Sequence, residues 1–432
     1  MRFTTLSQWL EWQETLHFTE IDPGLDRIGL VWQNMQGQSK LPFKLVTVAG
    51  TNGKGSSVAL TSSILMSAGY KTATYTSPHL LRYNERISID GHPCSDEVIC
   101  AAFERIDRAR GDISLTYFEF ATLAAADIFR LEHIDIAVME VGMGGRLDAV
   151  NLFDTDVALI TPIGLDHTAW LGDTREKIGL EKAGIIRANT PVVCSENGPP
   201  ITLIERAKTL GAPAYIAGNQ YTYSKNSSED RWSWDSAHKR YDDLPSPGLV
   251  GSYQRQNSAA VIQVCQLLSE QGLSIPDMAI YKGIEHVCLA GRFQVVEGEI
   301  TTILDVTHNE QGAENLAELL SKKPIKGKTY AVLGMLRDKD SEAVARILNN
   351  AIDFWFLSGL DGSRGSTPEE LLSTVSVVLG DDKASCHKTV EEAYKAAIQQ
   401  ADHNDRVLVF GSFHTVEAVM RLLPQSQLAY LA

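Results

Sequence analysis

The stretch Leu45–Leu65, LVTVAGTNGKGSSVALTSSIL, decides the fold. Its first residues are apolar and β-branched, so Leu45–Val48 reads as a buried strand. Glycines then interrupt the pattern around one lysine, in Gly50-Thr51-Asn52-Gly53-Lys54-Gly55-Ser56. Beyond them the spacing predicts a helix from about Ser56 to Ser67. Glycines let backbone N–H groups turn toward an anion, the helix start adds partial positive charge, and a lysine can reach outer phosphates. The strict spacing G-x-x-x-x-G-K-[ST] is not met, because Val48 replaces its first glycine and Gly55 its hydroxyl residue. The strand–loop–helix context still points to a nucleotide phosphate.

Outward from this stretch, strand-like and helical patterns alternate. Strands are expected at Lys71–Tyr75, Ile134–Met139, Val157–Thr161 and Pro191–Cys194. The N-terminus, with Glu11 and Glu14 among apolar residues, reads as an amphipathic helix and not as a signal peptide. Polar Asn219–Pro247 is expected to be a β-hairpin excursion. Trp232 and Trp234 there would pack in a core and not stack on nucleic acid. A helix over Gln254–Gln271 follows. Near Gly291 the pattern restarts, with strands at Thr301–Val306, Thr329–Leu333, Phe354–Leu357 and Val407–Phe410. Helices over Gly312–Ser321 and Ser341–Asn349 are expected among them. The class is α/β, and the 432 residues exceed one ordinary core. Two domains are expected, 1–289 and 290–432, with CLAGRF as the hinge.

A net charge of −15 argues against a nucleic-acid partner. No window is apolar for long enough to span a membrane. The six cysteines form no C-x-x-C pair, so a reduced, cytoplasmic protein is expected.

Three further strand ends carry polar groups. Ser77 follows one strand, Glu140 the next, and Asp166 and His167 a third. Open α/β sheets bind ligands at this edge, where an acid after a strand serves Mg²⁺ or positions water. Glycines 142, 144 and 145 free the backbone, and Arg146 and Asp148 could add polar contacts. Lys182 reads as ordinary surface. In the second half, Arg292 lies at the hinge, Asp305 and His308 end a strand, and Ser412 and His414 open a helix. Each is a candidate for anion or amino-acid binding.

Taken in order, GTNGKGS, TSPHL, NERI, EVGMGGRLDAVN, LDHTAWLG, EKAGI, GRFQ, LDVTHN, LGMLRDKD and GSFHTV resemble the folylpolyglutamate synthases of the Mur ligase superfamily. The bacterial bifunctional forms that are also dihydrofolate synthases are the nearest resemblance. No single motif decides it; the ordered set covers nearly the whole chain.

The resemblance implies an N-terminal P-loop ATPase domain, like the Mur ligase central domain. It also implies a C-terminal Rossmann-like domain, with the active site in a cleft between the two. The implied reaction joins L-glutamate to 7,8-dihydropteroate, or to tetrahydrofolate and its polyglutamates, at the expense of ATP. Thr51, Asn52, Gly53, Lys54, Gly55 and Ser56 would cradle the ATP phosphates, with Asn257, Arg292 and Asp305 as further ATP contacts. Ser77, Glu140, His167 and a carbamylated Lys182 would serve two Mg²⁺ ions. Ile21-Asp22-Pro23, Thr116-Tyr117-Phe118-Glu119 and Leu147-Asp148-Ala149 would form the pteroate site. His308 and Ser412 would meet the incoming glutamate. A monomer is implied.

Two residues depart from the family's D-x-A-H-N-P segment: Thr307 replaces its alanine and Glu310 its proline. They question glutamate affinity more than reaction type. A cell-wall Mur ligase is the alternative, but the 49 residues before Gly50 are too few for the usual UDP-binding domain. A nucleotide-binding protein without turnover is a third reading.

Overall fold

Gly53 adopts φ +91°, a left-handed conformation, and the helix Lys54–Ser67 starts on the next residue. The helix therefore begins two residues before the expected Ser56, and Lys54 belongs to its first turn. The structure, a computed structural model, describes residues 2–226, 230–380 and 382–424. Contacts divide the chain into two compact units. The first comprises Met1–His79, Tyr83–Gly248 and Gln254–Val287; the second comprises Leu80–Arg82, Leu249–Tyr253 and Cys288–Ala432.

The first unit begins with eight strands: β1 (Lys44–Ala49), β2 (Thr72–Tyr75), β3 (Ile87–Ile89), β4 (His92–Pro93), β5 (Ile136–Glu140), β6 (Val157–Ile160), β7 (Val192–Cys194) and β8 (Ala214–Ile216). They form one sheet in the order β4-β3-β2-β5-β1-β6-β7-β8. β3 pairs antiparallel with β2 and β4, and the other neighbours are parallel. Strand β1 lies between β5 and β6, with Val48 beside Glu140 and Ala49 beside Ile160. This order puts the glycine-rich loop against the ends of two neighbours, which is how Glu140 reaches it. Glu140 is the last residue of β5 and not the first beyond it, as expected; all five residues of that strand are buried.

The polar segment corrects the sequence reading. It contains three antiparallel strands and not two: β9 (Tyr221–Lys225), β10 (Arg231–Ser236) and β11 (Arg240–Pro245), in the order β11-β10-β9. Charges in RYDDLP and a register shift, which sets the buried Tyr241 and Leu244 three residues apart, hid the third strand. Trp232 and Trp234 are fully buried, and their indole N–H groups donate to the Pro245 and Ala259 carbonyls. They are core residues, as expected.

The second unit adds β12 (Gln294–Val296), β13 (Thr301–Leu304), β14 (Thr329–Leu333), β15 (Phe354–Ser358), β16 (Ala384–His387) and β17 (Arg406–Phe410). The order is β12-β13-β17-β14-β15-β16, with only the β12–β13 pair antiparallel. Alternate residues face opposite layers. Ala331, Leu333, Leu408 and Phe410 enter one apolar cluster; Tyr330, Val332, Val407 and Val409 enter the other. Strand β13 stops at Leu304, short of the expected Val306; beyond it the Val306 N–H turns to Gly291 O, and the Asp305 carboxylate accepts from Phe293 and Thr307 N–H. Among the described residues, no helix is long and apolar enough to cross a membrane.

Candidate active site

The loop after β1 is shaped by close approach. Gly50 has φ +150°, and a Cβ there would lie 1.7 Å from Thr161 Oγ1. At Gly53 a Cβ would lie 2.8 Å from Asn257 Oδ1. Thr51 ties the loop to the segment beyond β6: its N–H donates to Pro162 O at 2.9 Å and its hydroxyl to Gly164 O at 3.1 Å. Lys54 Nζ donates to Thr51 O at 3.2 Å and lies 3.9 Å from Glu140 Oε1. The lysine thus bridges the loop and the acid of the neighbouring strand. Ser56 is buried and accepts from Gln254 Nε2, and Gln254 in turn accepts from Asn257 Nδ2 at 3.0 Å. Sequence reasoning missed Gln254. It sits one helical turn before Asn257, and only that spacing could have suggested it.

Ser77 and Glu140 are joined directly, since the Ser77 N–H donates to Glu140 Oε2 at 3.3 Å. Their strands are neighbours in the sheet. His167 has φ +50° and opens the short helix Thr168–Leu171. Its N–H donates to Asp166 Oδ1 at 2.8 Å and its ring lies 3.9 Å from that carboxylate. Lys182 overturns the reading as ordinary surface. It is buried, and its Nζ donates to Gly50 O at 2.7 Å, under the phosphate loop. Burial, reinforced by the charge on Lys54, pulls its ammonium down to about 7. Arg146 instead turns outward to Glu181 at 3.0 Å.

Among the described residues, no group of three or more His, Cys, Asp or Glu is placed to hold a metal ion. Mg²⁺ needs no such cage. It takes one or two protein oxygens and completes its shell with phosphate oxygens and water. The Glu140 carboxylate and the Ser77 hydroxyl beside a phosphate loop are hard oxygen donors of that kind.

Two of the three segments expected to form the pteroate site are linked through Arg27. Arg27 hydrogen-bonds Asp22 through both terminal nitrogens and reaches Glu119 Oε1 at 3.1 Å. Thr116 and Glu119 form a capping box on the helix Tyr117–Leu131, so both are engaged in starting that helix. Phe118 packs against Gly142, where a Cβ would lie 2.6 Å from the ring, and against Tyr75 at 5.8 Å between centroids. Asp148 is buried and accepts from the N–H groups of Met143 and Val150, both at 2.9 Å. Burial still pushes its carboxyl up to about 6. Ile21 and Leu147 are half-buried, Pro23 is exposed and Ala149 is buried.

In the second unit, Asp305 is buried at the end of β13 and accepts from the N–H groups of Phe293 and Thr307. The adjacent strand β17 is followed by Gly411, whose N–H donates to Thr307 O at 2.9 Å. Ser412 then caps the helix Phe413–Met420 by accepting from Thr415 N–H. On the neighbouring strand end, Asn309, which sequence reasoning passed over, caps the helix Glu310–Lys322, and His308 Nδ1 lies 2.9 Å from Val306 O. Asp305, His308 and Ser412 therefore sit on adjoining strand ends. Arg292 stacks over the Phe413 ring at 5.6 Å, while His414 lies at the surface beside Glu417.

Nearly the whole chain is similar to known proteins. Residues 48–265 match the Mur ligase middle domain, and residues 291–413 match the Mur ligase glutamate ligase domain. The chain is 42% identical to the dihydrofolate synthase/folylpolyglutamate synthase of Escherichia coli (strain K12), over 97% of this chain and 95% of that protein. The structure of E. coli FolC in complex with DHPP and ADP is similar with a TM-score of 0.90, at 41% identity and 97% coverage of both chains. A bifunctional folylpolyglutamate synthase/dihydrofolate synthase with Mn, AMPPNP and L-glutamate bound is similar with a TM-score of 0.88, at 40% identity, covering 97% of this chain and 98% of that one. The chain therefore belongs to the Mur ligase family, among the dihydrofolate synthase/folylpolyglutamate synthases.

Proposed function

We propose that this protein adds L-glutamate to 7,8-dihydropteroate, giving dihydrofolate, and to tetrahydrofolate and its polyglutamates, with ATP as co-substrate. The observation that carries the reading is the Thr51–Lys54–Glu140 chain at the glycine-rich loop, in a protein alike over nearly its whole length to enzymes of that name.

The chemistry accounts for the residue types. A carboxylate is a poor acylating agent. Its oxygen attacks the γ-phosphorus, the bond to the β–γ bridging oxygen breaks, and ADP leaves. The glutamate amine then adds to the acyl phosphate carbonyl, loses a proton, and inorganic phosphate departs. Fixed donors and cations must hold the charge that develops on phosphoryl oxygens. Lys54, the N–H groups of residues 51–56 and the start of their helix are assigned to that task. Divalent metal, held through Ser77, Glu140 and His167, would neutralise phosphate charge when bound.

Carbamylation of Lys182 is part of the proposal. Only a neutral amine adds to carbon dioxide, and an amine near pKa 7 is half neutral at neutral pH. The product is an anion that can help order a second Mg²⁺. Asn257, Arg292 and Asp305 are assigned to ATP. The segments 21–23, 116–119 and 147–149 are assigned to the pterin, with Phe118 as its stacking face. His308 and Ser412 are assigned to glutamate. Residues 1–289 and 290–432 are taken as the ATP–pterin and glutamate domains of a cytoplasmic monomer that binds no nucleic acid.

The test is ADP release with Mg·ATP and L-glutamate, with dihydropteroate and tetrahydrofolate supplied separately. ADP and a one-glutamate mass gain are expected with both acceptors. Gain with tetrahydrofolate alone would remove the dihydrofolate synthase activity, and gain with neither would remove the assignment.

A further inference from the structure

Arg86 is a cation that none of the assignments above uses. It closes the short 3₁₀ turn Tyr83–Arg86, and its carbonyl accepts from Thr76 N–H at 3.0 Å, one residue from Ser77. Its Nε donates to His79 Nδ1 at 2.9 Å. Its guanidinium carbon lies 5.5 Å from the Tyr83 ring centroid and 5.4 Å from that of Tyr117. It is half-buried, and among the described residues no carboxylate pairs with it and its two terminal nitrogens donate no hydrogen bond.

The neighbouring phenols cannot be its counter-ion. Burial pushes the hydroxyls of Tyr83 and Tyr117 up, that of Tyr117 to about 12, so both stay neutral. Two rings and an imidazole therefore hold the guanidinium in place with its fork unspent. A partly desolvated cation in such a setting gains strongly from an arriving anion. Arg86 touches both the Tyr117 ring, in a segment assigned to the pteroate, and the turn that carries Ser77. The acceptor must bring its carboxylate to this neighbourhood, toward a γ-phosphate that is itself anionic.

We propose that Arg86 binds the acceptor's carboxylate and holds it as a forked, charge-assisted pair before phosphoryl transfer. This rests on the ligase reading of the site. The fork suits a planar carboxylate, which a lysine would meet only as a point charge.

The test compares equilibrium binding of dihydropteroate and of its neutral carboxamide to full-length wild type, Arg86→Gln and Arg86→Lys. Wild type should prefer the carboxylate by about 10- to 100-fold, the scale of one hydrogen bond to a charged group. Arg86→Gln should abolish that preference while binding the carboxamide as wild type does, and Arg86→Lys should keep part of it. If Arg86→Gln does not fold, the reduced preference of Arg86→Lys carries the test. Both ligands weakening equally would make Arg86 merely structural and overturn the proposal, as would an undiminished preference in the variants. Failure of wild type to bind either ligand would instead overturn the ligase reading, and the role of Arg86 with it.

Discussion

The strand ends of the two sheets are built on opposite plans. At the end of β1, charge is held under tension. Lys54 lies between the Thr51 carbonyl and Glu140, and buried Lys182 and Asp148 have their ionisation moved toward neutrality. At the end of β13, polar groups are spent on the backbone. Asp305 accepts two N–H groups, Asn309 and Ser412 cap helices, and Gly411 bonds to Thr307. The first edge is made to gain from incoming charge. The second is made to hold a backbone shape. Substitutions should therefore separate: activity lost with little stability at the first edge, stability and activity lost together at the second.

The largest effect should come from Lys54. Lys54→Ala should cut kcat by roughly 100- to 1,000-fold, the scale for one preorganised group aimed at developing charge. The melting temperature should stay close to wild type. A large fall in stability would mean that the first edge is also structural.

Lys182→Ala should lose most activity, and a short-chain acid or excess bicarbonate should restore part of it if a carbamate is the working form. Full activity in the variant would take Lys182 out of the mechanism. The unmodified lysine also predicts a pH signature. Its folded pKa, about 7, lies below its unfolded value, so the folded state binds fewer protons between about pH 7 and 10. Stability should rise with pH across that window and lack this contribution below it. Lys182→Met should flatten the rise in urea titrations run without bicarbonate; an unchanged slope would refute the assignment.

Asp305→Ala should cost about 2–4 kcal/mol in urea unfolding, because two backbone N–H groups lose their acceptor. A neutral effect on stability would break the contrast between the edges. Glu310 should give the smallest effect. It is exposed in the first turn of the helix Glu310–Lys322, where a carboxylate stabilises by about 0.3–1 kcal/mol. On the proposed placement of glutamate at the neighbouring His308, the same charge would oppose its carboxylate. Glu310→Gln should therefore lower the KM for glutamate a few-fold at a slight cost in stability. An unchanged KM would place the glutamate away from this helix.

The sequence displayed the first edge well, because glycines, β-branched runs and one lysine mark a strand–loop–helix unit locally. It displayed Lys182 badly. That residue looks like a surface lysine until the helix Arg175–Lys182 carries it beneath Gly50, a contact across 132 positions. Strands β3 and β4 are too short to show a period, and Arg27 and Gln254 add to near neighbours the distant partners Glu119 and Ser56. The third strand of the polar sheet lay behind the charges of RYDDLP. Local chemistry was legible; side chains that become buried only by long-range packing were not.

The account stands on activation of the acceptor's carboxylate by phosphoryl transfer. The most direct measurement uses dihydropteroate labelled with ¹⁸O in that carboxylate, with mass analysis of the inorganic phosphate released as glutamate is added. One labelled oxygen should appear in each phosphate formed. Phosphate free of label alongside normal amide synthesis would contradict the mechanism.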